Sequence, residues 1–402
     1  MIINDKKYFI RYMIILAMMS SMGLLASDIY LPAMPSLAIA LSTTDSSLQL
    51  TLGIYLFGLA ISQIFIGFLS DIYGRRMVLL FGFCIYIVAS ICCSLSCSIQ
   101  TLIIFRFIQA IGASAGLVVG RATISDQFSL KEATHIYNII YPIVAISPAI
   151  APLIGGYIST FFGWQATFEF VAIFGVILLI LSIFFLKETN QNMEHKKLFH
   201  IFHSYPLLIS NTAFLSYVIP VCLVYGAWFT YLSQSTFLFD EMGYSQHTIG
   251  YFYIPLAIMI YIGNLIGKKL MNTLGNEKVF YIGLFSFLSG GLLFFIFNLS
   301  SNMNHAFEII IPMSVVSISN GIVLPLGIAS AINIFKEKSG VASGLVGFAQ
   351  IGFSGLCASF IGKLFGISTS VLVITVLIMS ILAIFSYYFL KNKLKIKSPY
   401  TF

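Results

Sequence analysis

Long apolar stretches separated by short polar breaks make up nearly the whole chain. Each stretch holds roughly 20 or more residues, which is the length that a helix needs to cross the hydrocarbon core of a bilayer. The stretches are residues 10–38, 46–69, 77–96, 99–122, 134–160, 165–186, 207–238, 246–270, 278–298, 305–334, 339–363 and 367–390. This pattern predicts an all-α integral membrane protein with twelve transmembrane helices, and it leaves no stretch for a soluble domain.

The composition supports the same interpretation. Of the 402 residues, 59% are hydrophobic and 9% are charged, and the mean hydropathy is +0.97. A soluble domain carries about 25% charged residues. The net charge of +7 does not indicate nucleic-acid binding, because the basic residues are spread among short loops instead of lying on one face. The lipid bilayer is therefore the expected surrounding.

Basic residues also predict the orientation. With the N-terminus in the cytoplasm, 18 of the 21 Lys and Arg residues fall in cytoplasmic loops or termini, and only Lys363 falls in an outer loop. Lys and Arg concentrate on the cytoplasmic side of membrane proteins, so we predict that both termini are cytoplasmic. We also predict two six-helix bundles, 1–190 and 207–402, that are joined by a cytoplasmic linker at 191–206.

The most distinctive polar break is the short loop between the second and third stretches, Gly67-Phe-Leu-Ser-Asp71-Ile-Tyr-Gly74-Arg75-Arg76. Gly74 can take the positive φ of a sharp turn, and Asp71 precedes a helix, whose N-terminal end favours negative charge. The loop resembles the signature of the major facilitator superfamily between its second and third helices. That resemblance implies two pseudo-symmetric six-helix bundles with alternating access, in which Gly67, Asp71, Gly74, Arg75 and Arg76 form a conformational gate.

Among the ionisable residues that fall inside predicted spans, the first candidates are Asp28 in the first span and Arg106 in the fourth. Such a residue costs roughly 2.5 to 3.5 kcal/mol on insertion scales, so it usually faces a partner or a water-filled cavity. We therefore interpret both as functional candidates. Two other interpretations stay open: Asp28 could lie at the outer headgroup level, and Arg106 could clamp a backbone carbonyl group.

The fourth stretch combines this charge with a run of small residues. Arg106 and Gln109 are three residues apart and share a helical face, and the small residues that begin at Gly112 permit close helix packing. Arg106-x-x-Gln109-x-x-Gly112 resembles the fourth-helix signature of the superfamily, in which the Arg is tied to proton coupling. By resemblance, Arg121 reaches Asp71 and helps to hold the gate shut, with headgroup contact as the alternative.

The fifth stretch contains Pro148, Pro152, Gly155 and Gly156. Two prolines and a glycine pair bend a helix and allow close packing. The segment resembles the signature of antiporters in the superfamily. Ala151 stands where a glycine usually precedes the proline, which weakens the inference of antiport.

Four segments together resemble the bicyclomycin-resistance (Bcr/CflA) drug-efflux family. They are Ser27–Pro35, Arg106–Ala122, Tyr231–Ser235 and Gly340–Gln350. The resemblance implies a drug:proton antiporter that exports small, partly apolar compounds in exchange for protons. In this scheme Asp28 carries the proton, and Arg106 regulates Asp28. Gln165 and Thr236 depart from the family pattern, which leaves the identity of the substrate open.

Other polar and aromatic residues are candidates for lining a substrate cavity. They are Tyr30, Gln109, Asn138, Tyr141, Glu169, Tyr231 and Gln350. Plain packing is the alternative for the aromatic members of this set, because aromatic residues at helical spacing usually belong to a core.

Other functional classes lack their motifs. The six cysteines show neither disulfide nor metal-ligand spacing, and the linker histidines His195, His200 and His203 fit no ligand set, so we predict no metal. The segment from Gly263 to Lys269 is one residue short of a phosphate-binding loop, so we predict neither ATP nor another cofactor. No paired nucleophile and base falls in a span, and we predict that the protein is not an enzyme.

The sequence thus predicts a secondary transporter that acts as a monomer in the bacterial inner membrane, with a small molecule and protons as its partners. Three alternatives stay open. The protein could export a specific metabolite such as a siderophore, sugar or amino acid. It could instead import by proton symport, against which the fifth stretch argues, or serve as a receptor that transports nothing.

Overall fold

The computed structural model describes residues 6–128, 136, 140, 147, 150–190, 206–301, 303–335 and 339–397, in which the regular elements are helices. The main helices are α1 (Lys6–Asp28), α2 (Met34–Ala40), α3 (Asp45–Ile72), α4 (Arg75–Ser94), α5 (Ile99–Gln127), α6 (Ile150–Phe162), α7 (Gln165–Phe185), α8 (Thr212–Glu241), α9 (Gln246–Leu274), α10 (Asn276–Ser300), α11 (Ala306–Ile334), α12 (Ser339–Phe365) and α13 (Thr369–Lys397).

Within the described residues, eleven helical segments are long and apolar enough to cross a membrane. The first runs from Arg11 to Ala40 through α1 and α2. The shorter helix α6 belongs to the fifth predicted stretch, much of which lies outside the described residues. Large apolar side chains such as Phe162 and Phe184 are 77% and 75% exposed, as is expected of surfaces that contact lipid. The protein is therefore a multi-pass membrane protein.

The chain forms two compact units. Unit 1 comprises the described residues of Met1–Lys196 and the start of α9, Ser245–Tyr253, and unit 2 comprises those of Lys197–Tyr244 and Ile254–Phe402. The predicted linker falls almost wholly on residues 191–205, which lie outside the described residues. The predicted division into bundles 1–190 and 207–402 stays a prediction.

Local sequence explains where several helices begin. The hydroxyl groups of Thr44 and Ser98 accept the backbone N–H of Ser47 and Thr101, each at 3.3 Å, which caps α3 and α5. Before α4, Gly74 has a φ of 90°, a conformation that L-residues with a side chain rarely adopt. The turn predicted at Gly74 is therefore present.

The first span is broken where its prolines predict a bend. Helix α1 ends at Asp28, a 3₁₀ turn follows at Leu31–Ala33, and α2 begins at Met34. Pro32 and Pro35 have no N–H to donate to a continuous helix. The break places Asp28 at the end of an α-helix but inside the span.

Helix α5 is the central helix of unit 1, because it packs against α1, α3 and α4. Glycines permit these approaches. A Cβ atom on Gly112 would lie 2.5 Å from the backbone nitrogen of Tyr86 on α4, and one on Gly116 would lie 2.9 Å from the carbonyl oxygen of Met19 on α1. The small-residue surface predicted from Gly112 onward thus lets α1 and α4 pack closely against α5.

Candidate functional site

A buried polar group lies in unit 1 where α1, α3, α4 and α5 meet. We call it the arginine cluster, and it consists of Ser27, Asp28, Tyr30, Thr51, Tyr55, Ser90, Arg106, Gln109 and Phe168. Arg106 is 0% exposed and Asp28 is 1% exposed. A charge in an apolar interior is costly unless neighbouring groups stabilise it, so the contacts of these two side chains decide what the cluster can do.

Arg106 is held by hydrogen bonds from one of its nitrogens and by aromatic rings. Its Nη1 donates to the carbonyl oxygen of Ala26 at 3.0 Å and to Oε1 of Gln109 at 2.7 Å. The guanidinium carbon lies 4.1 Å from the ring centre of Tyr55 and 4.4 Å from that of Tyr30, which is cation–π geometry. The contact with a backbone carbonyl group, which was the alternative role for Arg106, is therefore present. The Nε and Nη2 groups of Arg106 have no hydrogen-bond partner.

Hydrogen bonds between helices position the rings and the amide around Arg106. Gln109 donates from Nε2 to the Ser90 hydroxyl at 2.8 Å, linking α5 to α4. The Tyr55 hydroxyl donates to the carbonyl oxygen of Gly23 at 2.8 Å, linking α3 to α1. The Tyr30 and Thr51 hydroxyls are 3.0 Å apart. These hydrogen bonds connect α1, α3, α4 and α5 around the Arg106 guanidinium.

Asp28 has few partners for a buried acid. Its Oδ1 accepts the Ser27 hydroxyl at 2.6 Å, and the ion pairs formed among described side chains do not include Asp28 with Arg106. Asp28 is buried, so its carboxyl group is not solvated at the protein surface. The cluster therefore holds an acid and a base in one protein interior without joining them in an ion pair.

A second polar group lies at the turn between α3 and α4 and is called the loop cluster. It consists of Ser70, Asp71, Arg75, Arg76, Asp126, Glu188, Thr189 and Asn190. Arg75 contacts Asp71 at 2.5 Å and Asp126 at 3.0 Å. Arg76 donates from Nη2 to the carbonyl oxygen of Ile183 at 2.9 Å. The basic residues of the signature loop thus connect it to the ends of α5 and α7.

Glu188 completes the loop cluster by capping α4. Its two carboxylate oxygens accept the backbone N–H groups of Arg75 and Arg76, each at 3.0 Å. Partial burial raises the pKa of Glu188, but the N–H groups of Asn190, Arg76, Arg75 and Thr189 outweigh that effect and hold the pKa below its usual value. Glu188 is therefore ionised at neutral pH and stabilises the positive end of the α4 dipole.

The glycine pair of the fifth stretch lies at close helix crossings in unit 1. Gly155 on α6 packs directly on the carbonyl group of Ile29, next to Asp28. A Cβ atom on Gly156 would lie 2.7 Å from the carbonyl oxygen of Gln246, and one on Gly250 would lie 2.8 Å from that of Pro152. The predicted role of this segment in close packing is consistent with these contacts. Pro148 lies outside the described residues, as do Asn138 and Tyr141.

The remaining predicted site residues are not brought into the arginine cluster. Glu169 on α7 is exposed, and Gln350 on α12 is half-buried. Tyr231 on α8 is buried beside Trp228, with ring centres 5.8 Å apart. Arg121 is exposed, and in this structure Asp71 pairs with Arg75 instead of Arg121.

Some residues of both clusters had no predicted role. Ser90 and Tyr55 orient Gln109 and Arg106, and their types in apolar helices carry no specific signal. Glu188 had a signal, because an acid directly after a span can cap a helix that begins with two arginines. Its partners were still hidden, since they lie more than 100 residues away in the sequence.

The sequence model of the Major Facilitator Superfamily matches residues 14–355, which is most of the chain. The chain belongs to this superfamily. The transporter is 23% identical to a bicyclomycin resistance protein homolog from Haemophilus influenzae, over 97% of its own length and 98% of the relative's. It is 29% identical to multidrug resistance protein MdtL from Shigella dysenteriae, over 81% of each chain. The predicted resemblance to the bicyclomycin-resistance family is confirmed.

Solved transporters share the fold. A bacterial homolog of the human lysosomal transporter Spinster superposes with a TM-score of 0.74 at 16% identity, over 96% of this transporter and 98% of that chain. The xylose transporter XylE from E. coli gives the same TM-score and coverage at 12% identity. The predictions of a twelve-helix major facilitator fold and of a transporter instead of an enzyme are confirmed. The orientation of the termini stays a prediction.

Proposed function

We propose that this transporter exports small, partly apolar compounds from the cytoplasm and that proton entry drives the export. The observation that carries the proposal is the arginine cluster, where the buried Asp28 carboxyl lies near Arg106 without an ion pair. An acid kept in a membrane span at an energetic cost marks a proton or substrate pathway. The names of the relatives supply the direction and the class of compound.

The contacts of the cluster support a proton-exchange step. Burial disfavours the charged carboxylate, whereas a nearby guanidinium favours it. The unbonded Nε and Nη2 groups of Arg106 can donate to Asp28 once it loses its proton. A substrate that enters from the cytoplasm competes with the proton for the carboxylate of Asp28. Binding of a proton and binding of a substrate thereby exclude each other, which is the requirement for exchange.

Alternating access then connects this exchange to transport. In the superfamily fold, a site near the middle of the membrane opens to each side in turn as one bundle rocks against the other. We assign the predicted conformational gate to the loop cluster, on the cytoplasmic side that its arginines favour. The predicted bacterial inner-membrane location and the monomeric state are part of the same proposal.

The test uses purified protein in liposomes. Vesicles with an imposed pH gradient should drive uptake of a fluorescent drug by the wild type, and Asp28→Asn should abolish that uptake while leaving membrane insertion intact. Asp240→Asn is the control, because Asp240 is an exposed acid at the end of α8. Gradient-driven transport by Asp28→Asn at the wild-type rate would refute the proton role.

A growth assay tests the direction and the substrate class. A pump-deficient bacterial strain that expresses the wild type should tolerate higher concentrations of several unrelated drugs than the same strain that expresses Asp28→Asn. Resistance to none of them, together with counterflow of a single metabolite, would favour the alternative of a specific metabolite exporter. Failure of counterflow with all compounds would indicate a receptor.

A further inference from the structure

Helices α10 and α13 of unit 2 lie side by side, and we call their line of contact the α10–α13 seam. Four pairs of residues mark it from one end to the other: Glu277 with Lys391, Tyr281 with Tyr387, Gly291 with Ser380, and Asn298 with Ser370. Residue numbers rise along α10 as they fall along α13, so the two helices are antiparallel. The step of 21 positions from Glu277 to Asn298 equals that from Ser370 to Lys391. A position on one helix therefore gives the level of the facing position on the other.

Two exposed lysines lie at one end of this seam. Lys278 is the residue after Glu277 on α10, and its side chain is exposed. Lys393 is exposed as well and lies two residues beyond Lys391, the partner of Glu277. From Lys278 to Asn298 the helix rises about 30 Å, which is the thickness of the hydrocarbon core of a bilayer. With Asn298 at one boundary of that core, the two lysines lie at the headgroup level of the other.

The acid at this end of the seam is already neutralised. The Lys391 ammonium group contacts the carboxylate of Glu277. It also lies 5.1 Å from the ring centre of Tyr217 and 5.8 Å from that of Tyr387, which is cation–π geometry. In the part of the chain that the structure describes, neither of the two exposed lysines takes part in an ion pair. Their two positive charges therefore remain available to a partner.

Exposed aromatic side chains continue the seam toward the middle of the bilayer. Phe285 on α10 is exposed, as are Phe385 and Phe389 on α13. The rings of Phe385 and Phe389 stack with their centres 5.9 Å apart. By the register of the seam, Phe285 lies within two residues of the level of Phe385, and Phe389 is about one helical turn from Lys393. Exposed apolar surface of this kind contacts lipid chains, so the two positive charges lie next to a surface that suits an acyl chain.

We propose that this end of the α10–α13 seam binds an anionic phospholipid, with its phosphate between Lys278 and Lys393 and an acyl chain along the phenylalanine rings. Hydrogen bonds between ammonium and phosphate groups are strong, and basic residues at the membrane surface attract anionic lipids. A zwitterionic headgroup would bring an ammonium group that the two lysines repel, so phosphatidylglycerol fits these charges best. The proposal is independent of the export function, because none of these residues belongs to the arginine cluster or the loop cluster.

Native mass spectrometry of the purified full-length protein tests the proposal. The protein is titrated with phosphatidylglycerol, with phosphatidylcholine that carries the same acyl chains, and with glycerol 3-phosphate, which is an anion without the chains. The wild type should bind phosphatidylglycerol at least fivefold more tightly than phosphatidylcholine, and glycerol 3-phosphate should not displace the lipid. Lys278→Gln and Lys393→Gln should each raise the Kd of phosphatidylglycerol about fivefold and leave that of phosphatidylcholine within about twofold.

Matched variants separate a binding site from an effect of total charge. Lys363→Gln removes the same charge from an exposed lysine near the end of α12, at the opposite end of unit 2, and should leave every Kd within about twofold. Lys278→Arg keeps the charge and should keep the wild-type Kd, because a phosphate accepts hydrogen bonds from either cation. Since Lys278 and Lys393 are exposed, the Gln variants should unfold at the wild-type temperature in detergent without added lipid.

Several results would overturn the proposed lipid site. Equal affinity of the wild type for the two lipids would do so, as would a wild-type Kd for phosphatidylglycerol in the variant that carries both Lys278→Gln and Lys393→Gln. An equal loss of affinity in Lys363→Gln would mean that the lipid responds only to total charge. Displacement of the lipid by glycerol 3-phosphate would identify a site for free anions instead. Transport does not enter these comparisons, since binding is measured without a pH gradient.

Discussion

Replacing Gly112 by alanine should separate α4 from α5 beside the arginine cluster. A Cβ atom at this position would lie 2.5 Å from the backbone nitrogen of Tyr86 and 2.6 Å from the carbonyl oxygen of Gly82. Both neighbours are main-chain atoms, so no side chain can turn away to make room. Favourable contacts of carbon begin near 3.5 Å, and the two helices must therefore move apart by about 1 Å.

Two opposing effects set the size of the change. Forcing one extra methyl group into a packed interior costs about 1–3 kcal/mol, and exchanging glycine for alanine inside a helix returns about 0.5–1 kcal/mol. Because both neighbours are main-chain atoms, the cost lies near the upper end of its range, and the free energy of unfolding should fall by about 2 kcal/mol. The same movement should lengthen the hydrogen bond from Gln109 to Ser90, now 2.8 Å, beyond the usual limit of about 3.2 Å. Gradient-driven transport should therefore also fall.

A dye that fluoresces on reacting with thiols can measure this stability. Cys93, Cys222 and Cys357 are buried and become reactive only when the protein unfolds. The control is Gly120→Ala on the same helix, since the Cβ atom there would lie 3.5 Å from the nearest atom, a flexible methyl group of Met19. Gly112→Ala should unfold at a lower temperature than the wild type, and Gly120→Ala should not. Equal unfolding temperatures for the two variants would refute this packing argument.

Two further predictions concern the loop cluster. Glu188→Gln removes the charge that caps α4, so the variant should be less stable than the wild type at neutral pH. The folded-state pKa of Glu188 lies below its usual 4.5, so this difference in stability should persist down to pH 4.5 and disappear only at lower pH. Thermal unfolding measured across this pH range tests it, and a difference already absent at pH 6 would contradict it. Gly74→Ala forces a side chain to a φ of 90° and should cost about 1–3 kcal/mol. Gly67→Ala, which meets its nearest atom at 3.6 Å, should cost far less, and equal losses would exclude backbone strain as the cause.

In the arginine cluster, the sequence predicted the candidate residues but not their contacts. The types of Asp28, Arg106 and Gln109 in apolar spans were sufficient to select them, because ionisable and amide groups are rare in lipid. Their contacts were not predictable. The Arg106 guanidinium is bonded to Ala26 and stacked on Tyr55, partners that come from other helices and carry no motif.

The loop cluster shows the same limit. The sequence predicted the turn at Gly74, since a sharp reversal and its glycine are local. It suggested Arg121 as the partner of Asp71 by resemblance, whereas the structure pairs Asp71 with Arg75, four residues away on the same chain segment. The capping by Glu188 crosses more than 100 residues, and only the return of α7 to this end of unit 1 brings that carboxylate to α4.

By itself, the sequence determined the number and approximate bounds of the spans, the turns between them and the superfamily. Those features depend on transfer of apolar side chains into lipid and on local backbone geometry, which each segment carries alone. The tertiary structure decided which glycines are indispensable and which charges are paired. These depend on helix crossings of a few ångströms, where residues distant in sequence meet.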